Sequence, residues 1–459
     1  MTQTMVQRIA GWVLAFDTAM VDARAIELIK HSVLDSLGCA ILTLSEDCVS
    51  GVLNYARSIA DSGGASLIGG GQAPLTLATL VNGTLVRAID FNDHLAFNPN
   101  TGAKLGGHPS DNFAAILAVA EERDRSGREV VAALLASYEL YGRVTRFLTP
   151  ELPWDHTTAF GVTVPAAAAR LLGLDSARTA NAIAISAAQS ASLGAVRRGQ
   201  LSHSKFLASA LVAERGVEAS LLAAAGVTGP MTVFENTRGI AKGVFHADDL
   251  ETLVAPLGGL HMVEGVTIKA YPGMDTSQAA AEAAVKSAAG RKLRARDIES
   301  IELVMNDHPM TLDQSSDPVR RTPHSRETAD HSYQYIVAVA LLDGELTPRQ
   351  FRSGRWLDPD VCDLMNRMTI ANDPAWTRKA LGGFPCTVRL RTSDGRVTTV
   401  EVPFATGHAR NKMSHADVVA KFRYCVDGRL SPGRADEIIA AVDNLDRLPS
   451  IRSLTSLLS

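Results

Sequence analysis

Over roughly its first 265 residues the chain repeats apolar side chains at three- and four-residue spacing, and alanine is frequent among them. That pattern demands helices that pack closely. In DARAIELIKHSVLDSLGCAILTL, Ile26, Ile29, Val33, Leu37 and Ile41 fall on one face of a helix. SGREVVAALLASYELYG opens on Ser126 with Glu129 three residues later, a capping-box pattern in which each side chain satisfies a free N–H. VPAAAARLLGLDSARTANAIAISAAQSASLGA reads as two helices broken at Gly173 and Asp175, and SKFLASALVAERGVEASLLAAAG as another ending near Gly226. Small side chains let such helices approach one another closely.

The texture changes near Lys269. IESIELVMN is strand-like, and CTVRLRTSDGRVTTVEVPF is a hairpin of two alternating runs around Ser393-Asp394-Gly395. Helices are expected at about 276–289 and 330–343. After Pro403 the helical period returns in SHADVVAKFRYCV and RADEIIAAVDNL. The expectation is a mainly α protein. A large all-helical domain is formed by both chain ends, 1–268 and 405–459, and a smaller α+β lid domain is inserted at 269–404. A cleft between two such units is a natural place for a ligand.

Composition narrows the function. With 459 residues two domains are expected. A net charge of −4 offers no field for nucleic acid or an anionic membrane. No apolar run approaches the ~20 residues of a membrane span, and MTQTMVQRIAGWVLAFDT lacks a small-residue cleavage site, so an amphipathic first helix in a cytoplasmic protein is expected. Cys39, Cys48, Cys362, Cys386 and Cys425 lie far apart, with no CxxC, HxH or HExxH spacing, so no metal and no redox cofactor is expected. SLIGGGQAP lacks the strand–helix frame of a phosphate loop and reads as a turn.

Chemistry concentrates in five segments. DFNDHLAFNPNTGAKLGGHPSDN, residues 90–112, carries Asp90, His94 and His108 in a composition that suits neither helix nor strand. WDHTTAFG places His156 at a helix start. VRRGQLSHSKFLAS clusters Arg197, Arg198, His203 and Lys205 at another. TIKAYPGMDTSQ places Lys269 and Tyr271 at the domain seam, and ETADHSYQYIVAVALLDG brings His331, Tyr333 and Tyr335 to a helix start. Taken singly, each is as easily a cap, a core residue or a surface charge. Together they set cationic and proton-donating groups beside helix N-termini, which suits a small polyanion.

In order and over essentially the whole chain, these segments resemble the MmgE/PrpD family. DFND…GHPSDN resembles its first active-site loop and DHTT…VPAAAARLLGL its second. RRGQLSHSKFLASA and GVTGPMTVFENTRG resemble its lysine helix and the loop after it. IKAYP, RETADHSYQYIVAVALLDG and GHARNKMSHADVVAKF follow. The resemblance implies a cofactor-free enzyme, commonly a homodimer, that acts next to a carboxylate on small di- or tricarboxylic acids. It assigns catalytic positions to Asp90, His108, His156, Lys205, Lys269 and Tyr335. His94, Arg198 and His203 are the expected substrate contacts. RETADHS and LSHSK point to the dehydratase branch, hence to a hydro-lyase for 2-methylcitrate or a related tricarboxylate. The alternatives within the family are cis-aconitate decarboxylation and iminodisuccinate-type epimerisation. Three departures stand out: His94 occupies a position where the family usually has threonine, FNPNTGAK is extra sequence between Asp90 and His108, and FENTRG has Asn236 where the family often has glycine. The expected roles are His108 and His156 as the acid/base pair, in unknown order, with Lys205 and Lys269 gripping carboxylates. Asp90 orients a neighbour, and Tyr335 binds substrate or relays a proton.

Overall fold

The computed structural model describes residues 3–59, 63–352, 354–380 and 382–458. The protein is mainly helical. The local signals act as written. Ser126 caps the helix Gly127–Thr145 with a reciprocal Glu129 bond. The helix Phe160–Leu172 ends at Gly173 in the left-handed conformation, and Asp175 caps Ser176–Ala187. SLIGGGQAP is a turn between two-residue strands at Ala65–Ser66 and Gln72–Ala73.

One apolar core gathers residues 5–268 and 418–458, so both chain ends build it. The small residues act where helices cross. A Cβ on Gly83 would lie 3.3 Å from Ala210, and one on Gly216 would lie 2.8 Å from Val164. The long helix Ser204–Ala224 therefore packs tightly against Leu75–Arg87 and Phe160–Leu172, an approach that larger side chains would prevent.

A second core gathers residues 274–405. Its sheet runs Met368–Asn372, Ile298–Met305, Cys386–Thr392, Val397–Val402. The first pair is parallel and the others antiparallel. Helices Gln278–Ala288 and Tyr333–Asp343 pack together, the former against the hairpin strands. Cys386–Thr392 alternates buried and exposed positions over its last residues, while Val397–Val402 is a more exposed edge.

Residues 90–112 lie where the two cores meet. The stretch is not wholly irregular. His94–Leu95 pairs with Val266–Thr267, Phe97 bridges Lys104, and Pro109–Asn112 forms a 3-10 turn. The extra FNPNTGAK segment folds back on itself. Its Asn100 bonds the backbone of Leu260, and Lys104 sits over the Phe384 ring of the second unit. Among the described residues no single helix is long and apolar enough to cross a membrane.

Candidate active site

The helix Leu75–Arg87 ends on Arg87, and three residues later Asp90 takes a left-handed backbone (φ 51°). Aspartate tolerates that conformation better than most residues. It aims the Asp90 carboxylate back at the helix end and across the seam. Arg87 Nη1 lies 2.8 Å from Asp90 Oδ1, Lys269 Nζ 2.5 Å from Oδ1, and Lys205 Nζ 3.0 Å from Oδ2. Lys269 also donates to the carbonyls of Asp90 and Gly273, which ties the seam strand to the loop. Lys205 makes a second bond to Asp330, at 2.7 Å, so the second unit closes onto the same charges. Burial alone would raise the Asp90 pKa; Arg87, Lys205 and Lys269 overcome this and hold it well below the usual carboxylate range. Burial in turn lowers Lys269, against the opposing pull of Asp90.

Four histidines line the outer side of this charged floor. His94 and His108 lie 5.3 Å apart ring to ring, and His108 and His156 lie 5.7 Å apart. His331 Nε2 and His108 Nε2 approach opposite oxygens of Asp90, at 3.7 and 3.8 Å. The floor is dry: Lys205 and Lys269 are 1% and 0% exposed. The side chains of His94, His156 and His331, with Arg197, keep 12–19% of their surface. Burial keeps every ring uncharged, with nearby cations helping and the carboxylates Asp275 and Asp155 opposing it at His94 and His156. His94 is pushed down to about 4, His156 to about 3, His331 to about 4, and His108 well below its ordinary value.

Hydrogen bonds fix which nitrogens are free. His108 Nδ1 faces the Asp93 carbonyl at 2.5 Å. A carbonyl only accepts, so Nδ1 carries the proton and Nε2 is a bare lone pair. His331 Nδ1 likewise donates to the Asp330 carboxylate. His94 Nε2 accepts from the Gly107 N–H at 3.2 Å, while Nδ1 lies 3.2 Å from Asp275 without a hydrogen-bond partner. His156 Nδ1 meets the Tyr141 hydroxyl at 3.0 Å. Two buried carboxyls beneath the loop, Asp93 and Asp111, are pushed up by burial to about 6 and 7.

Asp90, Asp330 and His331 lie close enough to be considered as cation ligands. The Lys205 ammonium already binds both carboxylates, and His331 Nδ1 also uses Asp330. These donors are committed to side chains, so they do not fit a metal centre.

The N-terminal domain of MmgE/PrpD matches residues 7–253, and the MmgE/PrpD C-terminal domain matches residues 271–447. The chain belongs to the MmgE/PrpD family. It is similar to cis-aconitate decarboxylase of Mus musculus, at 27% identity over 100% of this chain and 94% of the relative. It is also similar to 2-methylcitrate dehydratase of Cupriavidus necator, at 28% identity over 95% of this chain and 91% of the relative. The 2-methylcitrate dehydratase of Escherichia coli strain K12 shares 26% identity over 95% of this chain and 90% of its own length.

Of the residues expected at the site, this MmgE/PrpD chain brings together Asp90, His94, His108, His156, Lys205 and Lys269. Three do not join them. Tyr335 is fully buried in the second core, where its hydroxyl donates to the Gln350 carbonyl and its ring packs edge-on against Phe351 and Trp356. His203 is exposed at the N-cap of the lysine helix, against Phe206. Arg198 is exposed; its neighbour Arg197 faces inward, 2.5 Å from Asp155 beside His156. Nor are Lys205 and Lys269 free grips for a ligand, since both are bound by Asp90. The site also holds His331, singled out from sequence without a role, and four residues not assigned there: Arg87, Tyr141, Asp155 and Asp330. Arg87 was detectable from its i, i+3 spacing to Asp90 at a helix end. Tyr141 lies mid-helix and gave no local sign.

Proposed function

We propose that the protein is a cofactor-independent hydro-lyase that dehydrates 2-methylcitrate or a related small tricarboxylate to the corresponding cis-aconitate-type acid. One observation carries the reading. A row of neutral histidines stands in front of buried cations, with the His108 Nε2 lone pair free. Elimination next to a carboxylate needs such a base. His108 Nε2 takes the proton from the carbon beside the carboxylate. The electron pair moves onto that carboxylate, the C–O bond breaks, and the hydroxyl leaves as water after receiving a proton. Lys205, Lys269 and Arg87 supply positive potential behind the rings. The same potential that helps keep the histidines neutral stabilises the charge developing on the substrate. His156 is the second histidine at the reacting centre.

The relatives' names support this reading and also a second one, decarboxylation of cis-aconitate, since the mouse decarboxylase aligns along the whole chain. Both reactions pass through a carbanion-like species beside carboxylates. The hydro-lyase reading is favoured by a second histidine within reach of the base, because decarboxylation releases no hydroxide that must be protonated. The test is incubation with 2-methylcitrate and with citrate, following the absorbance of the unsaturated acid, with His108→Ala as control. Absorbance should rise with the wild type and not with the variant. No change with any tricarboxylate would overturn the proposal.

A further inference from the structure

The Tyr141 hydroxyl is the hinge of the two-histidine arrangement. Tyr141 lies on the helix Gly127–Thr145 and is fully buried. Burial, and then Asp111 and Asp155, push its phenol well above the ordinary value, so in the resting site it holds its proton, until His156 Nδ1 draws it. That proton needs an acceptor, because a buried hydroxyl left unpaired is costly. His156 Nδ1, at 3.0 Å, is the acceptor its hydrogen bonding provides. The backbone N–H of His108 also faces the Tyr141 oxygen and can only donate to it. The contact is built into the backbone. Gly107 has a φ of 84°, and a Cβ there would fall 2.0 Å from the Tyr141 oxygen and 2.5 Å from His156 Nδ1. Only glycine leaves room for the hydroxyl and the ring to meet.

We infer that Tyr141 is a positioning residue that donates to His156 Nδ1, forces the proton of that ring onto Nε2, and so makes His156 the proton donor and His108 the base. The inference rests on the hydro-lyase reading for its chemistry, though not for the tautomer. The assignment removes the ambiguity between the two rings: His108 shows the site a lone pair, and His156 shows it an N–H. A neutral imidazole that gives up Nε2–H would be left an anion. Here the Tyr141 proton moves to Nδ1 as the Nε2 proton passes to the leaving hydroxyl oxygen. The C–O electron pair departs with the water, the ring stays neutral, and the negative charge ends on the Tyr141 oxygen facing the His108 N–H. The proton taken by His108 balances it, and solvent resets both groups.

The test combines 15N spectra of histidine-labelled protein with steady-state kinetics of Tyr141→Phe. His156→Gln identifies the His156 signals. Phenylalanine keeps the ring in place, and a melting curve close to wild type confirms the fold. The wild type should show His156 protonated at Nε2 with an acceptor-type Nδ1, and the Nδ1 signal should shift in the variant. The variant's kcat should fall about 10²-fold or more, the scale of a lost proton donor, with KM nearly unchanged. A wild-type His156 protonated at Nδ1 overturns the inference. So does a Tyr141→Phe enzyme with kcat within about threefold of wild type, far below the loss of a general acid. If the wild type turns over no tricarboxylate, the hydro-lyase reading fails, and the two spectra still decide whether Tyr141 donates to His156.

Discussion

Replacing Lys205 with methionine should cost both activity and fold. A helix-start lysine that gripped substrate would contribute charge and little to stability, which is the expectation from sequence. The structure gives it a different place. Its ammonium is 1% exposed, 3.0 Å from one Asp90 oxygen and 2.7 Å from one of Asp330. At an effective dielectric near 20, each such contact is worth ~5 kcal/mol before desolvation. Most of that repays the cost of burying the charge, and breaking a buried pair typically loses ~3–5 kcal/mol net. Asp90 keeps Arg87 and Lys269, and Asp330 keeps His331 and Arg326 at 3.5 Å. The lower end, ~3 kcal/mol, is therefore expected. Urea unfolding of wild type, Lys205→Met and Lys205→Met/Asp330→Asn measures it. The double variant should recover part of the loss, because it removes a carboxylate that lost its partner. A single-variant cost below ~0.5 kcal/mol, the range of an ordinary surface change, would refute the buried-network reasoning.

Acid should weaken the fold below pH 6.5. His94, His156 and His331 are pushed down to about 4, 3 and 4, so between those values and 6.5 the unfolded chain binds more protons and stability is lost as the pH is lowered. Asp93 and Asp111, raised to about 6 and 7, pull the other way, but His108 adds a fourth histidine and the histidines prevail. Denaturation midpoints from pH 7 to 4.5 should drop steadily, and a rise would contradict the sign. Tyr335→Phe should keep kcat within about threefold while losing ~1–3 kcal/mol in urea unfolding, the cost of leaving a buried carbonyl unpaired; loss of turnover in a stable variant would restore a catalytic role. Arg197→Met should lower kcat strongly by freeing Asp155 beside His156, and Arg198→Met should be nearly silent in the same assay.

The fold was legible where local physics decides it. Ser126, Gly173 and Asp175 mark helix ends through caps, and the hairpin at Ser393-Asp394-Gly395 follows from alternation and turn chemistry. The site was legible where residue type and position coincide, as for Asp90, His108 and His156 on loops that end at helix starts. It failed where the deciding fact is a direction in space. Arg197 and Arg198 are adjacent and chemically identical, and only the turn Gly194–Arg197 determines which faces Asp155. Tyr335 was assigned through the family resemblance, but His331 precedes the Ser332 cap while Tyr335 lies on the helix itself and turns its ring into the core around Phe351. Tyr141 was invisible because its role depends on Gly107, thirty-four positions earlier, leaving space for its hydroxyl.

The proposed hydro-lyase chemistry eliminates water at the histidine pair and releases no carbon dioxide. Incubating the purified protein with cis-aconitate, and analysing the organic acids and the gas together, separates this from decarboxylation. Hydration to citrate or isocitrate with no carbon dioxide is expected; itaconate with stoichiometric carbon dioxide would show a decarboxylase instead.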